Sequence, residues 1–200
     1  MLYKCVSFTT NEFYRKQSER LEASLTKYGI PYQIERLEHP GSWHKAVSMK
    51  PAFIKRMLEA TTLDGVLYLD ADAEVVAPLP FEQLDGMDLA YTRFQRSKEH
   101  EDEYLTGTMF FRKGPAAMGL VTEWIERVPI WEHSQTPEQH ALKHTLVDFA
   151  DVRQMNLGPA WTYIHDDFKE LFPDVKPLIL HYQASREYRE RELREAKAKT

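Results

Sequence analysis

The chain has 200 residues, of which 42% are hydrophobic, and this is enough to bury a core as one domain. The formal net charge of -5 argues against a protein that is held to nucleic acid by overall charge. No apolar stretch approaches the roughly 18 residues of a membrane helix, and the single cysteine, Cys5, excludes an internal disulfide. We therefore expect a cytoplasmic protein without a membrane anchor.

The N-terminal residues carry the pattern of a βαβ unit. Residues 2–8 are strand-like and include Cys5, for which we expect a buried thiol. Asn11 is a favourable N-cap, and apolar side chains then recur at helical spacing until Gly29, which is placed to end the helix. Residues 32–37 return as a strand. Such a unit favours parallel pairing of its two strands and a ligand site at the first loop.

A second helical pattern covers residues 43–58 and has Lys50 on its apolar stripe. Because Pro51 disfavours an uninterrupted helix but suits a first turn, we predict that Lys50 lies at a kink or a helix start. A lysine in this place either snorkels at the edge of the core or serves a functional site. Both interpretations stay open, since the stripe leads directly into an acidic segment.

That segment, residues 65–72, reads Gly-Val-Leu-Tyr-Leu-Asp-Ala-Asp and has the pattern of a central strand covered on both faces. Because side chains alternate along a strand, we expect Asp70 and Asp72 to point the same way at its carboxyl edge, where open α/β sheets bind ligands. Two carboxylates about 4 Å apart repel by about 4 kcal/mol at an effective dielectric of about 20. Either one of the two is neutral or a cation lies between them. We take the cation as the working hypothesis, and oxygen ligands suit Mg²⁺ or Mn²⁺.

The rest of the chain predicts further strands and helices. Strand-like runs occur at 88–93, 108–112, 152–155 and 178–182. Helical patterns begin at Pro115 and Pro137, and the charged residues 95–103 are expected to form a loop. We expect one α/β, Rossmann-like domain at 1–185, with a mixed, mostly parallel sheet flanked by helices, and a charged helix or tail at 186–200.

Several short motifs follow one another along the chain. They are Thr9-Thr10-Asn11-Glu12-Phe13-Tyr14, Lys50, Tyr68-Leu69-Asp70-Ala71-Asp72, Thr106-Gly107-Thr108-Met109-Phe110-Phe111, Glu138-Gln139 and Ile179-Leu180-His181-Tyr182. Their order resembles that of the nucleotide-diphospho-sugar glycosyltransferases of the GT-A fold, and it is most similar to the glycogenin and galactosyltransferase group known as family 8. The resemblance covers most of the chain, so it is more specific than a lone Asp-x-Asp.

This resemblance implies a donor site and a metal site. The residues that would hold a uracil base are Thr9, Thr10, Asn11 and Tyr14. Lys50 and Arg186 would neutralise the diphosphate, with Ser185 beside Arg186. The implied ligands of Mn²⁺ or Mg²⁺ are Asp70, Asp72 and His181. Asp70 would bind the metal or the ribose, and the alternatives for the other two are a capping aspartate and a buried histidine bonded to backbone.

The implied acceptor side has Glu138 and Gln139 at its centre. If the reaction inverts the anomeric configuration, Glu138 would be the general base; if it retains it, Gln139 would steady the reacting face while the leaving phosphate assists. The alternative is that Glu138 favours a helix N-terminus and Gln139 is a surface residue. The chain departs from the family pattern at Glu138, which replaces an aspartate, at Thr106, which replaces a serine, and at 184–186, where Lys-Pro-Trp is expected.

Two other functions stay open. A haloacid-dehalogenase-like phosphatase also ends a strand in Asp-x-Asp, with Asp70 as its nucleophile and a later acidic pair such as Asp166-Asp167, although Glu74 stands where it needs threonine or valine. A non-catalytic nucleotide-binding module would keep the fold without the reaction. For a transferase the acceptor could be a saccharide, a protein, a small molecule or a modified base in DNA. The last is suggested only by tail arginines such as Arg186 and Arg189.

Overall fold

Two sheets run through the computed structural model, which describes residues 2–97 and 99–197 and, at 191–193 and 195–197, the backbone alone. The strands of these residues are β1 (Tyr3–Thr9), β2 (Tyr32–Arg36), β3 (Gly65–Leu69), β4 (Ala73–Val75), β5 (Leu89–Phe94), β6 (Glu103–Arg112), β7 (Gln154–Asn156), β8 (Tyr163–Ile164) and β9 (Ile179–His181). The large sheet has the order β2-β1-β3-β6-β5-β7 and the small one β4-β9-β8. In the large sheet β6 is antiparallel to both neighbours and the other pairs are parallel, which confirms the mixed, mostly parallel prediction.

Helices cover both faces of the large sheet. Those of the described residues are α1 (Glu12–Lys27), α2 (Trp43–Ser48), α3 (Lys50–Ala60), α4 (Pro115–Arg127), α5 (Pro137–Asp148), α6 (His165–Leu171) and α7 (Ala184–Lys197). Side chains of α3, α4 and α5 form one hydrophobic core, and those of α1 form a second core on the opposite face together with strands of the small sheet. This layered arrangement matches the predicted α/β fold.

The central strand β3 is buried along its whole length, as its sequence predicts. Val66 and Tyr68 pack into the core of α3, α4 and α5, whereas Leu67 and Leu69 pack into the core of α1. This alternation is the ordinary consequence of strand geometry when both faces of a sheet are covered. The carboxyl end of β3 is therefore held rigidly from both sides.

Local sequence signals set the helix starts near that end. The Asn11 side chain accepts a hydrogen bond of 3.0 Å from the Tyr14 backbone N–H, so Asn11 is the predicted N-cap of α1. Pro51 lies in the first turn of α3, and this places Lys50 at the helix start, as predicted. Cys5 is buried in β1, which confirms the expected buried thiol, and burial raises the pKa of this thiol.

Some boundaries differ from the predicted ones. β3 ends at Leu69, so the two aspartates lie in the turn that follows rather than on the strand. β6 begins at Glu103, because its first residues pair with β5 beyond a register shift between Tyr91 and Thr92. The small strands β4 and β8 were not predicted, since two or three residues are too short to show a period of two.

The charged C-terminal segment forms α7, which begins at Ala184 rather than at residue 186. Residues 198–200 of the predicted tail lie outside the described part of the chain. Within the described ranges, none of the helices combines the length and the apolar character that crossing a bilayer requires.

Candidate active site

A cleft with a cavity volume of about 290 Å³ opens at the carboxyl ends of β1 and β3. Its lining includes these predicted site residues: Thr9, Thr10, Tyr14, Lys50, Asp70, Asp72, Glu138, Gln139, His181, Ser185 and Arg186. Asn11 is not part of the lining; it caps α1 and so fixes the backbone at Tyr14. The structure therefore brings together, in one cleft, residues that are spread from β1 to α7.

The predicted metal ligands converge at the floor of this cleft. Asp70, Asp72 and His181 each offer one ligand atom, and these atoms lie within 4.8 Å of one another. The two aspartates converge because the chain turns after β3, with the Ala73 N–H donating to the Asp70 carbonyl at 3.0 Å. The expected strand alternation was thus the wrong reason for a convergence that does occur.

Each of the three side chains has one polar atom fixed by the protein. Asp70 Oδ1 accepts a hydrogen bond from Tyr68 Oη at 2.8 Å and pairs with Lys50 Nζ at 2.9 Å. Asp72 Oδ2 accepts the Ala184 backbone N–H at 2.7 Å, at the start of α7. His181 Nε2 lies 2.8 Å from Thr108 Oγ1. Asp70 Oδ2, Asp72 Oδ1 and His181 Nδ1 then remain as candidate ligand atoms. The hydrogen bonds of the other polar atom of each side chain orient them.

Gly107 makes room for this arrangement. A Cβ atom at this position would lie 2.9 Å from His181 Cε1, 3.0 Å from His181 Nδ1 and 3.1 Å from Asp70 Oδ2. Any side chain here would therefore press on the two atoms that the protein leaves for a ligand. The backbone of Gly107 also accepts the Asp70 N–H at 2.8 Å, so β6 supports the turn from below.

Burial controls the protonation of these groups. Loss of hydration, followed by the nearby Asp70 charge, raises the pKa of Asp72 from its ordinary value of 3.8 to about 6. Burial also lowers the pKa of His181 to about 4, which keeps its imidazole neutral and able to donate a lone pair at neutral pH. Two carboxylates and one neutral imidazole are a donor set that fits Mn²⁺ or Mg²⁺.

A buried ionic network lies beside the metal ligands. The Lys50 side chain is 3% exposed, and its Nζ donates to Thr106 Oγ1 at 3.0 Å and to the Thr106 carbonyl at 3.2 Å, besides pairing with Asp70. Thr106 Oγ1 donates to Glu138 Oε1 at 3.2 Å. Lys50 therefore does not snorkel to solvent; it fixes one of the predicted metal ligands. We call Lys50, Asp70, Thr106, Gly107 and Glu138 the cleft floor.

Glu138 lies in the first turn of α5 but faces the cleft floor. Its side chain is buried, burial raises the pKa of its carboxyl group, and Lys50 partly opposes this rise. Within the described residues Glu138 Oε2 has no hydrogen-bond partner. Because an unsatisfied buried oxygen is costly, Glu138 fits a site that receives a polar ligand better than a plain helix terminus. Gln139 is half-buried and also lines the cleft.

The opposite side of the cleft is formed by α7. Arg186 donates to both oxygens of Asp167, at 2.8 and 3.0 Å, and the Tyr188 ring packs against Phe13 and Tyr14. Arg189 lies over the Trp43 ring. We call Ala184, Arg186, Tyr188 and Arg189 the α7 wall.

Sequence reasoning missed Trp43 as a cleft residue. Trp43 is the first residue of α2 and lines the cleft, although its sequence pattern only marks it as one apolar position of a helix. Its place at the start of the helical run that leads to Lys50 was the one available signal. Other lining residues that were not predicted are Thr136, Thr162 and Ile164.

The phosphatase alternative loses its geometric support. Asp166 and Asp167, its later acidic pair, are not part of the described cleft lining, and Asp167 pairs with Arg186 and Arg96.

Comparison with known proteins supports the fold. Neither a protein-family model nor a curated protein matches the sequence. Among solved structures, a glycosyltransferase involved in the glycosylation of the major capsid of PBCV-1 superimposes with a TM-score of 0.68 at 15% identity, over 92% of this chain and 93% of that one. The chain therefore shares the fold of that protein over nearly its whole length, while the likeness to family 8 stays a prediction.

Proposed function

We propose that the protein is a family 8-like glycosyltransferase that transfers a sugar from a uridine diphosphate sugar and requires Mn²⁺ or Mg²⁺. The observation that carries this proposal is the convergence of Asp70, Asp72 and His181 within 4.8 Å, at the carboxyl edge of a sheet with this fold. Ligands of open α/β sheets bind at that edge. A bound divalent ion supplies positive charge that stabilises the leaving diphosphate.

The residues of the cleft divide the work of donor binding. Lys50 holds the Asp70 carboxylate in place, and Thr108 holds the His181 ring through Nε2. Arg186 would bind the diphosphate by exchanging Asp167 for a phosphate. The uridine would lie against the lining residues Thr9, Thr10 and Tyr14, whose backbone is fixed by Asn11.

The acceptor would approach Glu138 and Gln139. A carboxylate whose pKa is raised by burial takes a proton from an acceptor hydroxyl more readily than an ordinary glutamate does, and this suits Glu138 to an inverting reaction. In a retaining reaction the Gln139 amide would steady the reacting face. The anomeric configuration of the product, measured by NMR before mutarotation, distinguishes the two. A saccharide, protein, small-molecule or modified-DNA acceptor fits this proposal equally.

The test is release of UDP from a panel of UDP-sugars in the presence of Mn²⁺, together with the thermal shift that UDP and Mn²⁺ produce. A ligand at 100 times its dissociation constant stabilises the native state by about 2.7 kcal/mol. We expect chelation to abolish both signals. Asp72→Ala should lower UDP release by at least about 100-fold, which exceeds the cost of losing a residue that only orients a ligand.

The matched control is Asp151→Ala, which removes an exposed carboxylate outside the cleft and should change neither signal. Mn²⁺-dependent release of UDP by Asp72→Ala at the wild-type rate would contradict the metal assignment. Release of inorganic phosphate from an aryl phosphate would instead favour the phosphatase.

A further inference from the structure

Three lining residues bring positive charge into the described part of the cleft: Lys50, Arg186 and Arg189. His181 adds none at neutral pH, because burial lowers its pKa to about 4. A nucleoside diphosphate carries several negative charges, so its position depends on which of these cations can reach it. The partners that each cation already has decide this question.

Lys50 and Arg186 are both engaged. Lys50 is buried between Asp70, Thr106 and Glu138, and moving its ammonium group to a ligand would leave Asp70 and the buried Glu138 without their cation. Arg186 donates two hydrogen bonds to the carboxylate of Asp167. Each would have to give up a protein partner before it could bind a phosphate.

Arg189 is in a different situation. Its Cζ lies 4.8 Å from the centroid of the Trp43 ring, and its Nε donates to the Ser185 carbonyl at 3.4 Å. No carboxylate of the described residues forms an ion pair with it. The Ser185 carbonyl uses Nε, and this leaves the terminal N–H groups of the guanidinium, with which arginine makes paired hydrogen bonds to phosphate oxygens.

The position of Arg189 on α7 also suits a phosphate. The helix starts at Ala184, whose N–H is bound by the predicted metal ligand Asp72, and Arg189 follows about one and a half turns later on the same helix. The Trp43 ring restricts the side chain to the cleft, which reduces the entropy lost on binding. Helix α7 thus carries both a contact to the predicted metal ligand Asp72 and the preoriented guanidinium group of Arg189.

We propose that Arg189, which lies over the Trp43 ring, binds the phosphate groups of the donor nucleotide. This inference rests on the proposed function and adds a residue to it that the sequence motifs did not select for the donor. Trp43 acts as the positioning residue, because it touches the guanidinium group that in turn touches the ligand.

Calorimetry with uridine, UDP and inorganic pyrophosphate, each with Mn²⁺, tests the proposal. We expect Arg189→Gln to weaken UDP and pyrophosphate binding at least tenfold and to change uridine binding less than twofold. Arg189→Lys keeps the charge but loses the planar fork, and its loss should be intermediate. In a Trp43→Leu background, Arg189→Gln should cost less than it does in the wild type, since the guanidinium is no longer preoriented.

The matched control is Arg194→Gln, which removes the same charge from an exposed position on α7 where Arg194 pairs with Glu190. It should leave all three affinities unchanged. The inference is overturned if the wild type binds UDP and Arg189→Gln either binds it equally well or loses uridine and UDP affinity by the same factor. If the wild type binds neither UDP nor pyrophosphate with Mn²⁺, the proposed function fails, and this inference fails with it.

Discussion

The cleft floor and the α7 wall face the same cavity but are held by different kinds of contact. In the floor, Lys50 is buried and has three polar partners that come from the β3 turn, β6 and α5. In the wall, Arg186 and Arg189 are partly exposed and are held by one carboxylate and one aromatic ring. Buried hydrogen-bonded ion pairs are held firmly in place, whereas exposed pairs contribute little to stability.

This difference indicates a division of labour within the cleft. The floor is preorganised by the fold, so changes there should cost stability as well as activity. The wall depends on a few contacts made by one helix, so changes there should cost binding and leave stability nearly intact. Asp72 connects the two regions, because its carboxylate lies with Asp70 among the candidate metal ligands and also accepts the first N–H of α7.

The largest effect is expected when the cation of the floor is removed. Lys50→Met leaves Asp70 and the buried Glu138 without their cation, and breaking such a pair costs about 3–5 kcal/mol of unfolding free energy. Urea denaturation measures this loss. The loss should be smaller at pH 5 than at pH 8, because burial raises the pKa of Glu138 and this carboxyl group, once it has lost its cation, can take up a proton.

Lys45→Met is the matched control for this change. Lys45 is exposed on the neighbouring helix, and its replacement should alter the unfolding free energy by less than about 0.5 kcal/mol. Equal losses for the two variants would mean that charge does not hold the floor, and the contrast with the α7 wall would disappear.

Asp72→Asn should produce the second-largest change in the free energy of unfolding, and this change should depend on pH. The pKa of Asp72 is higher in the folded state than in the unfolded state, so the unfolded state loses this proton at a lower pH. The free energy of unfolding of the wild type therefore falls as the pH rises from about 4 to about 6. Asparagine does not titrate. With metal chelated, the variant should therefore gain stability relative to the wild type over this range, by at most about 3 kcal/mol at 1.36 kcal/mol per pKa unit.

Thermal or urea unfolding of both proteins from pH 4 to pH 7, in the presence of a chelator, measures this difference. A difference that stays constant over the range would show that Asp72 does not carry a buried negative charge. The two regions would then meet at an ordinary capping aspartate.

Gly107→Ala should change the free energy of unfolding least of these three substitutions, but it should still weaken metal binding. The new methyl group would press on His181 and on Asp70 Oδ2, and we expect Mn²⁺ affinity to fall by about 10- to 100-fold. Gly119→Ala is the control, since its Cβ meets Phe149 Cε1 at 3.4 Å and alanine favours the helix. Unchanged Mn²⁺ affinity in Gly107→Ala would show that the space at Gly107 in the cleft floor does not control metal binding.

Much of the floor could be predicted from sequence because its signals are local. Asn11 caps α1, Pro51 sets Lys50 at a helix start, and the apolar run of β3 ends in the two aspartates. Each of these depends on residues close in the chain. The order of motifs then added His181, whose strand pairs with β4.

The α7 wall could not be predicted in the same way. Its sequence alternates charges at helical spacing, which is typical of a solvated helix, and nothing in that pattern shows that Tyr188 packs on Tyr14 or that Arg189 lies over Trp43. The partner of Lys50 was also out of reach, since Lys50 and Thr106 are separated by 56 positions. Contacts of this kind follow from tertiary packing rather than from local pattern.

The hydrogen bond from Ala184 to Asp72 has a consequence for how the protein is handled. Asp72 is a candidate ligand and also holds the start of α7. Ion binding at Asp72 and docking of this helix would therefore be thermodynamically linked, so that each would alter the other by the same factor. A truncation before Ala184 removes this hydrogen bond together with α7, and it should change the apparent affinity for the ion without removing a candidate ligand. Full-length and truncated protein should be titrated side by side.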